Sequence, residues 1–459
     1  MEGPTNCNRA CVYCDVHKRK NTVRFSTVAE SLRQVDWAYD EGFLFFQYVG
    51  GEPLAGCQFD GGVRPGRYQM CLNGANLMYE DFTEKLTSFT TEEGKTYVDH
   101  ALEIIGYASR LGMFTNVITN GDFLDNTYYL SRLKKARLDF LTFSLHSPTE
   151  AGIRSIIGKA RATANAGIIP TVSVVFTADR ADIIPKVAKT CAANGIFFST
   201  SIVQEIGDGF STVPEKSNIP TLEQIEKVAR ELEPLRKSGF LVNGWNYFVK
   251  AMDSNGSRWK CDPTQDQFIH IRAQGEKGEL GVCSEMRTGL DTGVSLKSKE
   301  WRERKEGAVD GCPGCLYSCY FRCQNPDFRG DSQTLMPMVL IKSGHSGLAR
   351  KLGRRTIKDP SEIISVPQSE LEKSQSWLKN YDRLHNRLKR KGKDLIDIAS
   401  APFVLAAVLA TYVFVSLAAR RKGISQDKVN EYMLMSIVYG GIVELGKDEK
   451  NDEMSDSRS

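Results

Sequence analysis

From residue 22 to about residue 205, short apolar runs alternate with stretches whose apolar positions recur every three or four residues. The second pattern predicts helices from Ser26, a good N-cap, to about Tyr39, and over Tyr97–Leu111. Further helices are predicted near Tyr128–Ala136, over Ile153–Ala166 and around Ile183–Ala193. The apolar runs Leu44–Val49, Thr115–Thr119, Phe140–Leu145, Thr171–Phe176 and Ile196–Ile202 are of strand length and rich in β-branched and aromatic residues. Apolar strands alternating with helices read as a parallel α/β sheet covered by helices. Periodicity by itself leaves barrel and open sheet undecided. Residues 55–92 interrupt the alternation with Gly-rich, polar sequence. They read as an insertion, equally a lid, a partner-binding loop or a plain surface excursion.

The pattern changes after residue 342. Basic residues outnumber acidic ones up to Lys393, ending in NRLKRKGK, and residues 398–419 then run 22 positions without a charge. A helix of that length crosses about 30 Å of hydrocarbon. Arg420, Arg421 and Lys422 close it. The stronger basic flank precedes the run, which by the positive-inside rule puts the larger N-terminal part on the cytoplasmic side of a membrane. An Ala-rich helix buried in protein, or one lying on a membrane surface, is the alternative. Residues 432–445 are apolar but shorter and include Glu444, and the polar residues 448–459 read as a disordered tail.

A chain of 459 residues has room for two or three domains with cores of their own. Its net charge of +4 is too small to point to nucleic acid by itself. Its 12 cysteines are many for a reducing compartment unless most bind metal, and nine of them cluster. Cys57, Cys71 and Cys191 are left over and read as ordinary buried or loop thiols.

Cys7, Cys11 and Cys14 stand as C-x3-C-x2-C in the run CNRACVYC. Three thiolates from one short loop can hold three irons of a cubic 4Fe–4S cluster and leave the fourth iron open to a small molecule. A zinc site completed by His17 is the competing reading, in a spacing atypical of zinc fingers. About 35 residues on come Gly50, Gly51, Glu52 and Pro53. The two glycines lack a Cβ and let backbone approach a ligand, and Pro53 stiffens the loop exit.

In this order the two motifs resemble those of the radical S-adenosylmethionine (SAM) superfamily, with Tyr13 as the aromatic residue before the third cysteine. The resemblance implies a partial (βα)6 barrel with its site at the C-terminal ends of the strands. It implies a 4Fe–4S cluster on Cys7, Cys11 and Cys14, and SAM contacts from Tyr13, Gly50, Gly51, Glu52, Pro53 and Ser144. His146 falls where many members carry an acid, Thr119 and Asn120 end the third strand, and Gln204 is a further candidate near the adenine. The family's first strand precedes the cysteine loop, yet six residues precede Cys7, so that strand is expected to be missing or to lie upstream of the recorded start. In such enzymes SAM, bound at the open iron, is reductively cleaved to a 5′-deoxyadenosyl radical that abstracts hydrogen from the substrate. The electron comes from a reductant such as flavodoxin or ferredoxin.

Residues 261–323 hold Cys261, Cys283, Cys312, Cys315, Cys319 and Cys323, with Gly278 five positions before Cys283. This resembles the SPASM or shorter twitch extensions that carry auxiliary iron–sulfur clusters. Six thiols exceed one four-ligand cluster and fall short of two, so one auxiliary cluster is expected and a second is open. Zinc on the CxxC pair is the alternative. The domain reading is a barrel over 1–210, linker helices over 211–258 and an auxiliary-cluster domain over 259–330. A basic linker and helix over 331–397, the apolar helix 398–419 and a tail over 420–459 follow. The function expected is a radical SAM oxidoreductase acting on a peptide, protein or lipid-type substrate, cytoplasmic and membrane-anchored. A non-catalytic multi-cluster electron carrier and a tRNA-modifying enzyme are the alternatives. The expectation is against nucleic acid as partner.

Overall fold

The computed structural model describes residues 1–3, 7, 9, 11, 13–14, 25–43, 45–55, 91, 93–125, 127–203, 218–243, 245–253, 259–325 and 359–366. The chain divides into two compact units, 1–393 and 394–459, the second wholly outside the described residues. The apolar run 398–419, nearly all of the insertion 55–92, and His17, Gln204, Cys57 and Cys71 also lie outside them. Among the described residues no helix is long and apolar enough to cross a membrane.

Five parallel strands carry the first unit: β1 (Phe45–Tyr48), β2 (Phe114–Thr119), β3 (Phe140–Ser144), β4 (Ile169–Phe176) and β5 (Phe197–Ile202), side by side in chain order. Helices Tyr97–Arg110, Thr127–Lys135, Glu150–Asn165 and Ile183–Ala193 make the crossovers. This is the α/β arrangement the alternation predicts, and a parallel sheet of this order fits a partial barrel. Successive side chains alternate between the two faces of a strand. Val117, Phe143, Val174 and Phe176 share one face and are 0% exposed. With the helices' apolar stripes they form the core, each phenylalanine contributing about 1.5–3 kcal/mol by burial. The opposite face is mixed: it carries Gln47, Asn116, Thr142, Ser144, Ser173 and Ser199 among apolar residues such as Ile118, Phe140 and Val175. Asn116 donates to Gln47 (3.0 Å) and accepts from Thr142 (3.2 Å), which cross-links three strands through polar side chains.

Several boundaries differ from the expectation, each for a local reason. Thr27, not Ser26, caps the helix Val28–Asp40, because Glu30 completes a capping box with it. Ser26 instead donates to the carbonyl of Gly275. Thr149 accepts from Gly152 N and starts the next-but-two helix three residues earlier, at Glu150. β4 begins at Ile169, with Pro170 near its start where a missing N–H is tolerated. Helices Leu222–Ser238 and Trp245–Asp253 fall in the stretch expected to hold linker helices. Between them Phe240–Val242 hydrogen-bonds along Phe198 on β5, extending the sheet at that edge.

At the other edge the first residues of the sequence pair with β1 as isolated bridges. Gly3 N donates to the Val49 carbonyl (2.7 Å) and Val49 N to the Met1 carbonyl (3.0 Å), so residues 1–3 run beside β1. On their far side Glu2 N donates to the Ile271 carbonyl (2.7 Å) and Ala273 N to the Glu2 carbonyl (3.1 Å). Ile271 belongs to a small antiparallel sheet, β6 (His270–Arg272), β7 (Glu279–Gly281) and β8 (Arg287–Asp291). Glu2 thus joins both sheets. Its buried carboxylate faces Arg287 (3.2 Å) and Arg272 (3.5 Å), which offset the cost of burying a charge.

Candidate active site

Four strand ends meet the cysteine loop. Past β1, Gly50 and Gly51 are half-buried, and Glu52 is 1% exposed. The Glu52 carboxylate accepts from the Thr119 hydroxyl (2.7 Å), Asn120 N (2.7 Å) and Leu54 N (3.0 Å). It therefore clamps the GGEP loop onto the end of β2. One residue on, Asn120 turns its amide toward Cys7 Sγ (4.0 Å), and Asp122 forms a two-pronged ion pair with Arg9 of the cysteine loop (Nε to Oδ2, 2.6 Å). Past β3, His146 Nδ1 lies 3.2 Å from Cys11 Sγ and 2.7 Å from the Tyr13 hydroxyl. Past β4, buried Arg180 donates to the His146 carbonyl (2.8 Å) and places its guanidinium 5.1 Å above the Tyr13 ring. The cysteine loop is thus fastened at the C-terminal rim of the sheet, where β/α barrels do their chemistry.

Burial dominates the electrostatics here. It pushes the Cys7 thiol well above the ordinary range, with Glu52 adding to the effect, and Cys11 up to about 11, with Cys14 next in importance. Cys11 and Cys14 also act on Cys7, so the three thiols share one electrostatic neighbourhood. Burial holds His146 down at about 3, Arg9 contributing, so the imidazole is neutral. Glu52 is raised to about 7 by burial, against the pull of its three hydrogen bonds. Among the described residues no three His, Cys, Asp or Glu side chains converge to metal-ligating distances. The donor set nevertheless fits an iron–sulfur site: half-buried soft thiols with N–H groups at sulfur, as where Arg9 N meets Cys7 Sγ at 3.4 Å.

A second group of thiols forms around the small sheet. Cys283 follows β7, Cys312 and Cys315 follow the helix Lys299–Asp310, and Cys261 precedes β6. Trp259 and Cys315 pair backbone to backbone (Trp259 N to the Cys315 carbonyl, 3.0 Å), which brings the CxxC loop to the Cys261 segment. Burial and then Cys283 and Cys312 raise Cys261 to about 12. Cys315, raised chiefly by burial, is acted on by Cys283, Cys261 and Cys312 alike. Met286 N donates to Cys283 Sγ (3.3 Å) and Gly314 N to Cys312 Sγ (3.3 Å). Of the six thiols singled out in sequence, these four are neighbours. Cys319 and Cys323 lie on the helix Ser318–Gln324, and the side chain of Cys319 is outside those described.

Residues 1–166 match the family model described as the radical SAM superfamily. Residues 1–166 form a radical SAM domain and the protein is a radical SAM enzyme, which sets aside the reading as a non-catalytic electron carrier. No curated protein matches it. The structure gathers Cys7, Cys11, Cys14, Tyr13, Glu52, Thr119, Asn120 and His146 at one rim, with Ser144 at the end of β3. Sequence reasoning missed Arg9, Asp122 and Arg180. Arg180 was within reach of it, because residues just past a barrel strand are rim positions. The Arg9–Asp122 pair spans 113 positions and leaves no local signal.

Proposed function

We propose that the protein cleaves SAM reductively at a 4Fe–4S cluster held by Cys7, Cys11 and Cys14 and abstracts hydrogen from a peptide or protein substrate. The observation that carries this is the convergence of the cysteine loop, the GGEP loop and the ends of β2 and β3 on one rim. When bound, the cluster and SAM supply the 5′-deoxyadenosyl radical, and the protein supplies binding and orientation. Glu52 fixes the loop whose glycines approach the methionine end of SAM, with Pro53 stiffening its exit. Ser144 and Tyr13 line the same rim. Cys261, Cys283, Cys312 and Cys315 would hold one auxiliary cluster at the small sheet, and Cys319 and Cys323 are the remaining candidates for a second.

Gln47, Asn116, Thr142, Ser144, Ser173 and Ser199 put amide and hydroxyl groups among the apolar residues of one face of the sheet, which suits a substrate that forms hydrogen bonds, such as a peptide. A lipid-type substrate is the second reading, favoured by the apolar run 398–419, which would also anchor the enzyme with its catalytic part on the cytoplasmic side. A flavodoxin or ferredoxin would deliver the electron. Anaerobic reconstitution tests the assignment. Wild-type chain should bind more than about four irons and form 5′-deoxyadenosine from SAM under reduction. Replacing Cys7, Cys11 and Cys14 together by Ala should remove one cluster and abolish that product. 5′-Deoxyadenosine formed by the triple variant would refute the site.

A further inference from the structure

Three side chains from three separate segments, Tyr13, His146 and Arg180, gather beside Cys11. His146 Nδ1 is 2.7 Å from the Tyr13 oxygen and 3.2 Å from Cys11 Sγ. The Tyr13 hydroxyl is also hydrogen-bonded to Cys11. Arg180 stacks its guanidinium over the Tyr13 ring, approaches the Tyr13 oxygen with Nη1 (3.5 Å) and fixes the His146 carbonyl through Nη2 (2.8 Å).

A thiolate bound to metal only accepts hydrogen bonds. A Tyr13 hydroxyl donating to Nδ1 would leave the sulfur facing an imidazole lone pair at 3.2 Å. All three contacts are attractive when Nδ1–H donates to the Tyr13 oxygen and the Tyr13 O–H donates to Cys11. We propose that Tyr13, oriented and polarised by His146 and Arg180, donates an O–H···S hydrogen bond to the iron-bound sulfur of Cys11 and raises the reduction potential of the cluster on Cys7, Cys11 and Cys14. The inference rests on the cluster reading above and adds a tuning device to it. Reduction adds one electron, supplied by the external one-electron donor, and no proton moves along the relay. A donor aimed at sulfur stabilises the more negative, reduced state, and a hydrogen-bonded chain behind it strengthens the donor. Arg180 acts through Tyr13 and is a positioning residue, while His146 acts through Tyr13 and also touches the sulfur itself at 3.2 Å.

The test is a redox titration of the reconstituted full-length chain followed by electron paramagnetic resonance, the relevant signal being the one lost in Cys7→Ala. Tyr13→Phe removes the hydroxyl and keeps the ring. It should make one-electron reduction about tenfold less favourable, a downward shift of ~59 mV, at unchanged iron content. His146→Leu should shift the potential the same way by less. His146→Asn, whose side-chain N–H can take the place of Nδ1–H, should restore it. The double variant Tyr13→Phe with His146→Leu should fall below Tyr13→Phe alone by less than the shift of His146→Leu in the wild-type background, because His146 acts in part through Tyr13. An unchanged potential in Tyr13→Phe, or effects that add in the double variant, would overturn the relay. If Tyr13→Phe loses its cluster, His146→Leu decides, and an unchanged potential there overturns the proposal. Wild-type chain that assembles no cluster dependent on Cys7 overturns the cluster reading itself, a failure visible before any potential is measured.

Discussion

Glu52 shows how one side chain at the rim is held between opposing forces. Burial favours its protonated form, while the Thr119 hydroxyl and two backbone N–H groups favour the charged one, and the carboxyl settles at about 7 against an ordinary 4.5. Between those two values the native state keeps a proton that the unfolded chain has released. Stability is therefore fully present below about pH 4.5 and is given up as pH rises toward and through 7. The difference amounts to about 3 kcal/mol. Urea denaturation of the wild type and of Glu52→Gln at pH 5 and pH 8 should show it: the wild type loses stability relative to the variant across that interval. Parallel curves would mean that Glu52 is charged throughout. The Arg9–Asp122 pair makes a second prediction. Both partners are largely buried, so Asp122→Asn removes the charge that faces the guanidinium and loosens the cysteine loop, and reconstituted iron should be stripped faster by a chelator. At this scale the cysteines, GGEP and His146 were legible because their spacing or strand-end position is local. Asp122 was not, since only folding brings it to Arg9.

Elements inherit their positions from a few end residues. The first turn of helix Glu150–Asn165 lies so close to the preceding rim loop that a Cβ on Gly152 would collide with the Ser147 carbonyl oxygen. That loop carries His146 one residue earlier. Gly152→Ala should therefore push the loop away from the cysteines, costing about 1–3 kcal/mol as an overpacked site. Thermal denaturation should record a lower midpoint, together with weaker iron retention. A variant with wild-type stability would show that the loop gives way freely. The five strands of the parallel sheet were readable because each is rich in apolar, aromatic or β-branched residues and lies between helices. β6, β7 and β8 were not: they are 3, 3 and 5 residues long and lack that composition. The N-cap missed by one position had its signal in Thr27-x-x-Glu30, since only Thr27 has a glutamate three residues on.

At the scale of the whole molecule, the division at residue 393 separates all the cysteines discussed from the apolar run. Truncation after Lys393 should move the protein from the membrane to the soluble fraction while the cluster on Cys7, Cys11 and Cys14 is retained. Equal partitioning of the full-length and truncated chains would refute the anchor. Within the first unit, the sequence pointed to two cysteine groups but not to their relation, which depends on residues 1–3 lying between the two sheets. That placement has a thermodynamic consequence. The backbone ladder from β1 through Glu2 to β6 leaves no seam along which the small sheet could open alone, so both thiol groups belong to one cooperative unit. The amides of Gly3 and Ala273, one on each side of that junction, should exchange with solvent deuterium in the same opening event and with the same opening free energy. Denaturant should release both in a single transition.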